Sequence, residues 1–412
     1  MNRDYNFNKF SGIQPATREA LNWIFENGGL PLIKGRWFFV DPDNGSATAS
    51  GDADAPVSSL EYAYALCTSG AGDGIVLLSG GTSTADTTSY LDQQITWSKH
   101  AITVVGIAAP TRMYGRARIA NVQRTTGALT TISFTNSGTA DYITDTAGGF
   151  LTAGFAVGQK INVDTTSNTN DGQFTIAAVT ATKMTLSSSD SLTTEVAATA
   201  GAGATTITTY STCLIEMTGD NNAFYNVHMF NGGSNALEVG CLKITGNRNY
   251  FGSCHFIGAG HATPAATTGA YDLLLDSACE NTFVSCTFGT DSVIRAAANG
   301  NIVYDNSCYR NRFYDCDIVS YSATSGKGAI KISGTDAMQY VDIYSGCRII
   351  NWNENGYTAI AAAVIGDVPT SGHILFDNCS FFGYTAIGAS GTVYVGNCSA
   401  VASGAGGIAT TP

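Results

Sequence analysis

One octapeptide pattern recurs three times in the chain and constrains its fold more than any other feature. The pattern, Asn-x-Phe-x-x-Cys-x-apolar, occupies residues 249–256, 281–288 and 311–318. Its cysteines, Cys254, Cys286 and Cys316, are 32 and then 30 residues apart. A fixed period of this length is typical of repeat architectures, in which each unit stacks on the next. We therefore expect the chain to form a solenoid.

The repeat also predicts what lies inside the solenoid. Stacked coils place like residues above like residues, so phenylalanines and small thiols are expected to form ladders, and each Asn to satisfy backbone groups at a bend. The strands are short, separated by Gly, Asn and Asp turns, with no helical pattern between them, which favours a parallel β-helix over an α/β fold. The predicted core ladder comprises Cys254, Cys286, Cys316, Cys347, Cys379, Phe251, Phe283 and Phe313.

The eleven cysteines are predicted to be free structural thiols. Their number is odd, and none stands in the paired spacing that a zinc site requires. No phosphate-binding loop or nucleophile motif is present either. We therefore predict no metal, no cofactor and no catalytic residue.

Charge and hydropathy exclude two classes of partner. Charged residues make up only 13% of the chain, the net charge is −12, and Lys and Arg form no run, which argues against nucleic-acid binding. No apolar stretch is long enough to span a membrane. The polar start of the chain lacks the apolar core of a signal peptide. We expect a product that is made in the cytoplasm.

The pattern divides the chain into five predicted segments. These are an N-terminal arm and helix for attachment (1–33), the start of the β-helix with a capping helix (34–121), an inserted small antiparallel β-domain (122–208), the repeat-bearing coils (209–402) and a Gly-rich tail (403–412). The insertion is predicted because the cysteines disappear there and period-two strands separated by turns take their place.

Two helices are predicted near the N-terminus. Residues 17–27 carry apolar side chains at helical spacing, and this face could pack on the protein's own body or dock on a neighbouring subunit. The attachment candidates are Leu21, Trp23, Ile24 and Phe25. Residues 56–68 begin with a capping box, Ser58 and Glu61, and are expected to cover the open end of the solenoid.

Candidates for chemistry are few. Carboxylates on neighbouring coils could approach closely enough for glycoside hydrolysis; they are Asp272, Asp276, Glu280, Asp291, Asp315 and Asp317. His228 and His255 share one position of the repeat and are expected to stack. The loop from Asp41 to Asp54 could bind Ca²⁺ or simply form a turn. The arginines at 112, 116 and 118 could contact acidic partners or form a solvated edge.

Four stretches resemble known proteins. Trp37-Phe-Phe-Val-Asp-Pro-Asp-Asn-Gly45 and Gly72-Asp-Gly-Ile-Val-Leu-Leu78 resemble the opening of pectin-lyase-like right-handed β-helix proteins. Ile95-Thr-Trp-Ser-Lys-His-Ala-Ile-Thr-Val-Val-Gly106 is similar to head-associated structural proteins of tailed phages. Gly154-Phe-Ala-Val-Gly-Gln-Lys-Ile161 resembles a small β-module shuffled among phage proteins. The catalytic Asp and Arg cluster of pectate lyases has no match here.

This resemblance implies a role and a location. It implies a non-enzymatic virion protein, a capsid decoration or head spike attached to the capsid surface through its N-terminal region and assembled in the host cytoplasm. The partners implied are two further copies in a homotrimer and the major capsid protein or another virion protein. The alternative is a tailspike or tail fibre that binds, and could also cleave, a host surface polysaccharide.

Overall fold

The chain is an all-β protein that coils into a right-handed parallel β-helix of about nine turns, which confirms the predicted fold. The computed structural model describes residues 33–79, 88–108, 116–166, 169–196, 204–322, 326–334, 337–352, 360–366, 372–388 and 393–401. The predicted helix at 17–27 and its attachment candidates Leu21, Trp23, Ile24 and Phe25 lie outside these residues. Neither described helix has the length and hydrophobicity that a membrane crossing requires.

The β-helix begins with short strands and one helix. These are β1 (Trp37–Val40), α1 (Leu60–Leu66), β2 (Gly74–Ser79), β3 (Thr88–Leu91), β4 (Ile95–Trp97), β5 (Thr103–Ala108) and β6 (Ala117–Asn121).

A separate compact unit follows, formed by residues 92–94 and 121–212. Its strands are β7 (Ile132–Thr135), β8 (Tyr142–Asp145), β9 (Lys160–Asp164), β10 (Gly172–Val179), β11 (Lys183–Leu186) and β12 (Thr206–Thr209). They pair antiparallel in the order β12-β9-β10-β11-β8-β7. Side chains alternate between buried and accessible along each strand, and the buried ones, such as Phe134, Ile161 and Met184, form a core of their own.

The β-helix then resumes. Its later elements are β13 (Ile215–Met217), β14 (Ala223–Tyr225), β15 (Val227–Phe230), β16 (Gly240–Ile244), β17 (Tyr250–Gly252), β18 (His255–Ile257), α2 (Ala262–Ala265), β19 (Tyr271–Asp276), β20 (Thr282–Val284), β21 (Thr287–Gly289), β22 (Gly300–Asp305), β23 (Arg312–Tyr314), β24 (Asp317–Tyr321), β25 (Gly328–Ile332), β26 (Tyr340–Ser345), β27 (Arg348–Trp352), β28 (Ile360–Ala362), β29 (Val364–Ile365), β30 (Gly372–Asp377), β31 (Ser380–Phe382), β32 (Tyr384–Ala386), β33 (Val393–Gly396) and β34 (Ser399–Val401).

Three long parallel sheets form the walls of the β-helix in the described residues. Sheet 1 has the order β1-β2-β5-β14-β17-β20-β23-β26-β30-β33, sheet 2 the order β3-β6-β15-β18-β21-β24-β27-β31-β34, and sheet 3 the order β29-β25-β22-β19-β16-β13-β4. Strands β4, β5 and β6 pair directly with β13, β14 and β15. The coil formed by β4, β5 and β6 is therefore the direct neighbour of the coil formed by β13, β14 and β15.

The repeat places its aromatic rings in one stack along the inside of sheet 1. The rings of Phe251, Phe283 and Phe313 lie 4.9 and 4.8 Å apart and are nearly parallel. Phe224 precedes this stack and Tyr344 continues it. All five side chains are fully buried. Because each ring fills the space above the next, removal of one would open a cavity bounded by two coils.

The asparagines form a second ladder. The backbone N–H and side-chain Nδ2 of Asn249 both donate to Oδ1 of Asn281, at 2.9 and 3.1 Å. Asn281 repeats both bonds to Asn311. At the next coil the acceptor is Asp342, whose Oδ1 lies 2.6 Å from the N–H of Asn311. The ladder satisfies buried backbone groups at one corner of successive coils, and an amide suits this position because it both donates and accepts.

The cysteines of the repeat are all free and lie inside the next corner. Each thiol donates to the carbonyl of the aromatic residue one coil earlier, as Cys286 does to Phe251 at 3.3 Å and Cys316 to Phe283 at 3.6 Å. Burial raises the pKa of the Cys254 and Cys286 thiols, which keeps them protonated and able to donate. Cys347 and Cys379 continue the ladder with equivalent bonds to the carbonyls of Phe313 and Tyr344.

Two local predictions near the N-terminus are wrong. Helix α1 begins after Ser59, not at a Ser58–Glu61 capping box, and its N-cap side chain makes no capping bond. Instead Oγ of Ser89 accepts the N–H of Leu60 at 2.9 Å, so a strand supplies the cap. The polar composition of residues 82–92 predicts a loop, whereas residues 88–91, which include Ser89, form β3. The helix buries Leu60 and Ala63 in the core of the β-helix.

Candidate functional site

The outer face of sheet 2 carries two different rows of side chains that run along the axis of the β-helix. Parallel register places equivalent residues of successive coils beside one another, and alternate residues point outward. The polar outer row comprises Arg118, His228, His255, Thr287, Asp317, Arg348, Ser380 and Ser399. The apolar outer row comprises Phe230, Ile257, Gly289, Val319, Ile350 and Phe382.

A groove of about 450 Å³ lies where these rows meet. Residues of both outer rows form its floor, and Arg116, Thr290 and Asp291 form its rim. Its lining residues are Arg116, His228, His255, Thr287, Gly289, Thr290, Asp291, Asp317 and Val319. The groove therefore lies mainly on the strands. The length of the loops at 258–269 and 352–356 predicts binding there instead, and residues 353–356 lie outside those that the structure describes.

Gly289 lies in the floor of the groove, at a position where no other residue fits. Its φ is +89°, and a Cβ there would lie only 2.2 Å from the Val319 carbonyl oxygen and from Nδ2 of Asn301. A side chain is excluded at this point by both the backbone conformation and the available space. The missing side chain interrupts the apolar outer row between Ile257 and Val319.

The two histidines stack at one end of the groove, as the sequence predicted. The rings of His228 and His255 lie 4.7 Å apart and 12° from parallel. Nε2 of His255 lies 2.8 Å from the Gly289 carbonyl oxygen, which can only accept, so this nitrogen carries the proton. Burial, the neighbouring His255 ring and nearby arginines lower the pKa of His228 to about 3. Burial also lowers the pKa of His255. Both rings are neutral at pH 7.

Two arginines lie beside the histidines. Nε of Arg116 donates to the Ser253 carbonyl at 2.6 Å. Arg118 lies 4.5 Å from the ring centre of Phe230, and burial lowers its pKa. The interpretation of this cluster as a solvated edge is therefore wrong for Arg118, because the aromatic residue on the next coil covers it. Arg112 lies outside the described residues.

The other end of the groove is acidic. Both carboxylate oxygens of Asp317 accept from Arg348, at 2.5 and 2.6 Å, across neighbouring coils. Asp291 is exposed at the rim. The groove thus offers a cation at one end, carboxylates at the other, and neutral donors and acceptors between them. Such a lining can form many hydrogen bonds with a polar ligand.

The remaining acidic candidates lie away from the groove or beneath it. Asp276 pairs with Lys243, and Glu280 pairs with Arg248 and Arg310. Asp315 is exposed at the corner between sheets 1 and 2. Asp272 is fully buried and pairs with Arg295 at 2.6 Å. The structure therefore brings only Asp291 and Asp317 of the six candidates to the groove.

The Asp41 loop has the hydrogen bonds of a turn. Oδ1 of Asp41 accepts the N–H groups of Asp43 and Asn44, at 3.0 and 3.2 Å. Asp52 pairs with Arg36 at 2.7 Å. In the part of the chain that the structure describes, no cluster of three or more His, Cys, Asp or Glu side chains could hold a metal ion.

Sequence reasoning found the histidines and both acids of the groove but missed that they share one face. The sequence indicated the shared face in part, because His228 and His255 occupy the same position of the repeat. Thr287, Asp317 and Arg348 occupy the same position in later coils, but their dissimilar side chains conceal the row in the sequence.

Comparison with known proteins shows that this chain is similar to others in structure but not in sequence. The sequence matches no protein-family model and no curated protein. Among solved structures, the chain is similar to the pectin methylesterase of Aspergillus niger (14% identity, 89% of this chain and 86% of that chain, TM-score 0.43). It is also similar to the pectin methylesterase PemA of Erwinia chrysanthemi (10%, 91% and 92%, 0.46) and to the pectate lyase Pel9A (13%, 88% and 79%, 0.41). The assignment as a parallel β-helix rests on the strand register of the chain itself.

Proposed function

We propose that the chain binds a polysaccharide along the outer face of sheet 2. The observation that carries this proposal is the pair of outer rows, one polar and one apolar, that meet in the groove. A sugar ring has the same two characters, since its edge bears hydroxyl groups and its faces are largely C–H. A glycan lying along the groove would place hydroxyl groups against the polar outer row and ring faces against the apolar outer row.

The repeat of the β-helix suits a repeating ligand. Neighbouring strands in a sheet are about 4.8 Å apart, which is comparable to the length of one sugar unit. Each coil can therefore contact one sugar with the same two outward positions. Half-buried aromatic residues extend the apolar side beyond the groove, where the ring of Trp352 lies 5.2 Å from that of Phe382. Aromatic rings of this kind offer a large contact area at low entropic cost.

Other polymers fit the groove less well. A peptide that adds a strand needs unpaired backbone groups at a sheet edge, whereas the strands under the groove are paired on both sides. A nucleic acid needs a basic stripe, but this row contains Asp317, with Asp291 at its rim. The side chains of the groove must therefore do the recognition, which favours a ligand rich in hydroxyl groups.

We propose binding without cleavage. Glycoside hydrolysis needs one carboxylic acid that can protonate the leaving oxygen and a second carboxylate opposite to it. Both oxygens of Asp317 are already held by Arg348, so this group is not placed to donate a proton. Both histidines are neutral at pH 7 and serve as hydrogen-bonding groups. The bound glycan would therefore dissociate without any of its glycosidic bonds having been cleaved.

The setting that we propose comes from the sequence resemblance. A β-helix with a glycan groove suits a tailspike or tail fibre that contacts the host surface, and it suits a head decoration less well. The homotrimer, the contact with other virion proteins and the location on the particle belong to this proposal. Quantitative mass spectrometry of the particle tests them, because a tailspike occurs in few copies and a decoration protein in hundreds.

The binding proposal is tested on an array of purified bacterial capsular polysaccharides and lipopolysaccharide O-chains. We expect the wild-type chain to bind a subset of them and the Arg116→Ala variant to bind at least tenfold more weakly. Arg248→Ala is the matched control, because Arg248 is an accessible arginine that lies outside the groove. A reducing-end assay on the bound glycan should show no new ends.

Two results would overturn the proposal. One is binding that Arg116→Ala and Arg248→Ala weaken equally. The other is the absence of glycan binding together with a loss of self-association in Arg116→Ala, measured by analytical ultracentrifugation. The second result would assign the outer face of sheet 2 to contact between copies of the chain.

A further inference from the structure

A buried lysine lies beneath the groove. The Lys327 side chain is fully buried, which is rare for lysine. Its Nζ donates to Oδ1 of Asn301 at 2.8 Å, to Oγ of Ser320 at 3.1 Å and to the carbonyl of Gly328. Burial lowers its pKa well below the ordinary value, and the positive charge of Arg295 acts in the same direction. A desolvated lysine of this kind gives up its proton more readily than an exposed one, and the deprotonated amine is a nucleophile.

The amide beside it is polarised at both ends. Oγ of Ser320 donates to Oδ1 of Asn301 at 2.5 Å, where negative charge develops if a nucleophile attacks the amide carbon. Nδ2 of Asn301 donates to Oδ2 of Asp272 at 2.8 Å and to the Val319 carbonyl at 2.9 Å. A hydroxyl donor at the oxygen and a carboxylate at the nitrogen are the two groups that amide exchange requires.

Other bonds hold this carboxylate in place. Oδ2 of Asp272 accepts from Nη2 of Arg295 at 2.6 Å, and Oδ1 accepts from the N–H of Gly258 at 2.8 Å. Arg295 in turn donates to Oδ1 of Asn299 and to the Gly300 carbonyl. Such fixed positions make a reaction between neighbouring groups far faster than the same reaction in solution.

We propose that Lys327 and Asn301 form an intramolecular isopeptide bond, in which Nζ of the lysine replaces Nδ2 of the asparagine. The lone pair of Nζ attacks Cγ of Asn301, a C–N bond forms, the Cγ–Nδ2 bond breaks, and ammonia leaves. One proton moves from Nζ to the departing nitrogen, which the Asp272 carboxylate holds by a hydrogen bond. Ser320 stabilises the oxygen of the intermediate. No oxidant or further reactant is needed.

The cross-link would join adjacent coils without disturbing the sheet. Gly300 and Gly328 are partners in the parallel register of β22 and β25. Asn301 directly follows Gly300, and Lys327 directly precedes Gly328. The two side chains therefore already meet between these neighbouring coils. The bond would lock one coil of the β-helix to the next, independently of any ligand in the groove.

Mass spectrometry of the denatured wild-type chain tests the proposal directly. We expect an intact mass lower by one molecule of ammonia than the sequence requires. Because trypsin does not cleave after an acylated lysine, a digest should contain residues 296–310 linked to residues 313–331. Recovery of unmodified 296–310 and 313–327 from a chain of full mass would overturn the proposal. So would an ammonia loss located at another residue.

Variants identify the reacting groups. Lys327→Ala and Asn301→Ala should each restore the full mass. Lys331→Ala should keep the loss, because the amine of Lys331 donates instead to the carbonyls of Thr268 and Ala298. Asp272→Asn should slow the loss of ammonia. Retention of the linked peptide in Lys327→Ala would contradict the assignment. The wild-type mass decides the question even if a variant fails to fold.

Discussion

The inner and outer faces of sheet 2 are built from the same strands but follow opposite rules. The inner row is almost uniform, with Met229, Phe256, Phe288, Ile318 and Ile349 stacked coil upon coil and all fully buried. The polar outer row changes chemistry at nearly every coil. Packing on the inside demands that each residue match its neighbours in shape, whereas the outside meets solvent and is free to vary. The difference teaches that the regular positions encode the fold and the irregular ones carry the function.

The largest effect should come from breaking the inner regularity. Phe283→Ala removes one ring from the middle of the stack in sheet 1, and the cavity left between two coils should lower the free energy of unfolding by about 3–5 kcal/mol. Phe382→Ala on the apolar outer row is the control, because its ring is only half-buried. Urea unfolding followed by circular dichroism measures both. Equal losses would contradict the distinction between the two faces.

The second prediction concerns an irregular position in the asparagine ladder, which an Asp-to-Asn substitution would make regular. Asp342 stands where the ladder otherwise has asparagine, and burial raises its pKa to about 7, although bonds from Asn311 and Tyr304 oppose the rise. The unfolded carboxyl ionises near pH 4, so the folded state retains the proton over a range in which the unfolded state has lost it. The free energy of unfolding should therefore be highest below pH 4 and fall as the pH rises to about 7.

Asp342→Asn should remove this pH dependence and complete the ladder. At pH 7.5 the variant should be more stable than the wild type by about 2 kcal/mol, since an amide needs no ionisation in the buried site. Urea unfolding at pH 4.5 and 7.5 gives the comparison. Asp315→Asn, at an exposed corner, is the matched control and should leave the pH dependence unchanged. A variant that loses stability at both pH values would show that the ionised carboxylate is required.

The third prediction concerns the polar outer row. Arg116→Ala should weaken glycan binding by about 1.4 kcal/mol, a factor of ten, and change the free energy of unfolding by less than about 0.5 kcal/mol. An accessible side chain contributes little to folding, so function and stability should separate here. Isothermal titration calorimetry and urea unfolding of one preparation measure both quantities. A loss of stability as large as that of Phe283→Ala would place Arg116 in the framework of the fold.

The smallest effect should be seen in thiol labelling. Ten of the cysteines are buried, and Cys398 is the half-buried exception. In the native protein, a maleimide reagent should label Cys398 first and the ladder thiols, such as Cys286, only as the chain unfolds. Peptide mass spectrometry over time gives the order. Rapid labelling of the ladder would show that these coils open in the native state.

The same distinction explains what could be predicted from the sequence. The fold was predictable because the Asn, Phe and Cys positions recur, and each repetition reinforces the others. The cap of α1 was not, since the acceptor is Ser89, far along the chain. The groove was partly predictable, because His228 and His255 are alike at equivalent positions. Thr287 and Asp317 share that row without resembling the histidines, so only the register of the strands reveals them.

The corners of the coils were also hidden in the sequence. Arg248, Glu280 and Arg310 precede the ladder asparagines, and each has a φ between 57° and 59°. This left-handed conformation is costly for residues of their size, and glycine or asparagine would be expected there. The tertiary structure imposes it, because the next residue must point into the ladder. Residue preferences for backbone conformation therefore do not predict these positive φ values, because the stacking of the coils determines them.

The account rests on the assignment of the outer face of sheet 2 to a glycan. The most direct test is a crystal structure of the chain soaked with the oligosaccharide that binds best on the array. We predict density for the sugar rings along the groove, with hydroxyl groups facing His255, Thr287 and Asp317 and ring faces against Val319. Density for the oligosaccharide elsewhere on the chain, with an empty groove, would contradict the central claim.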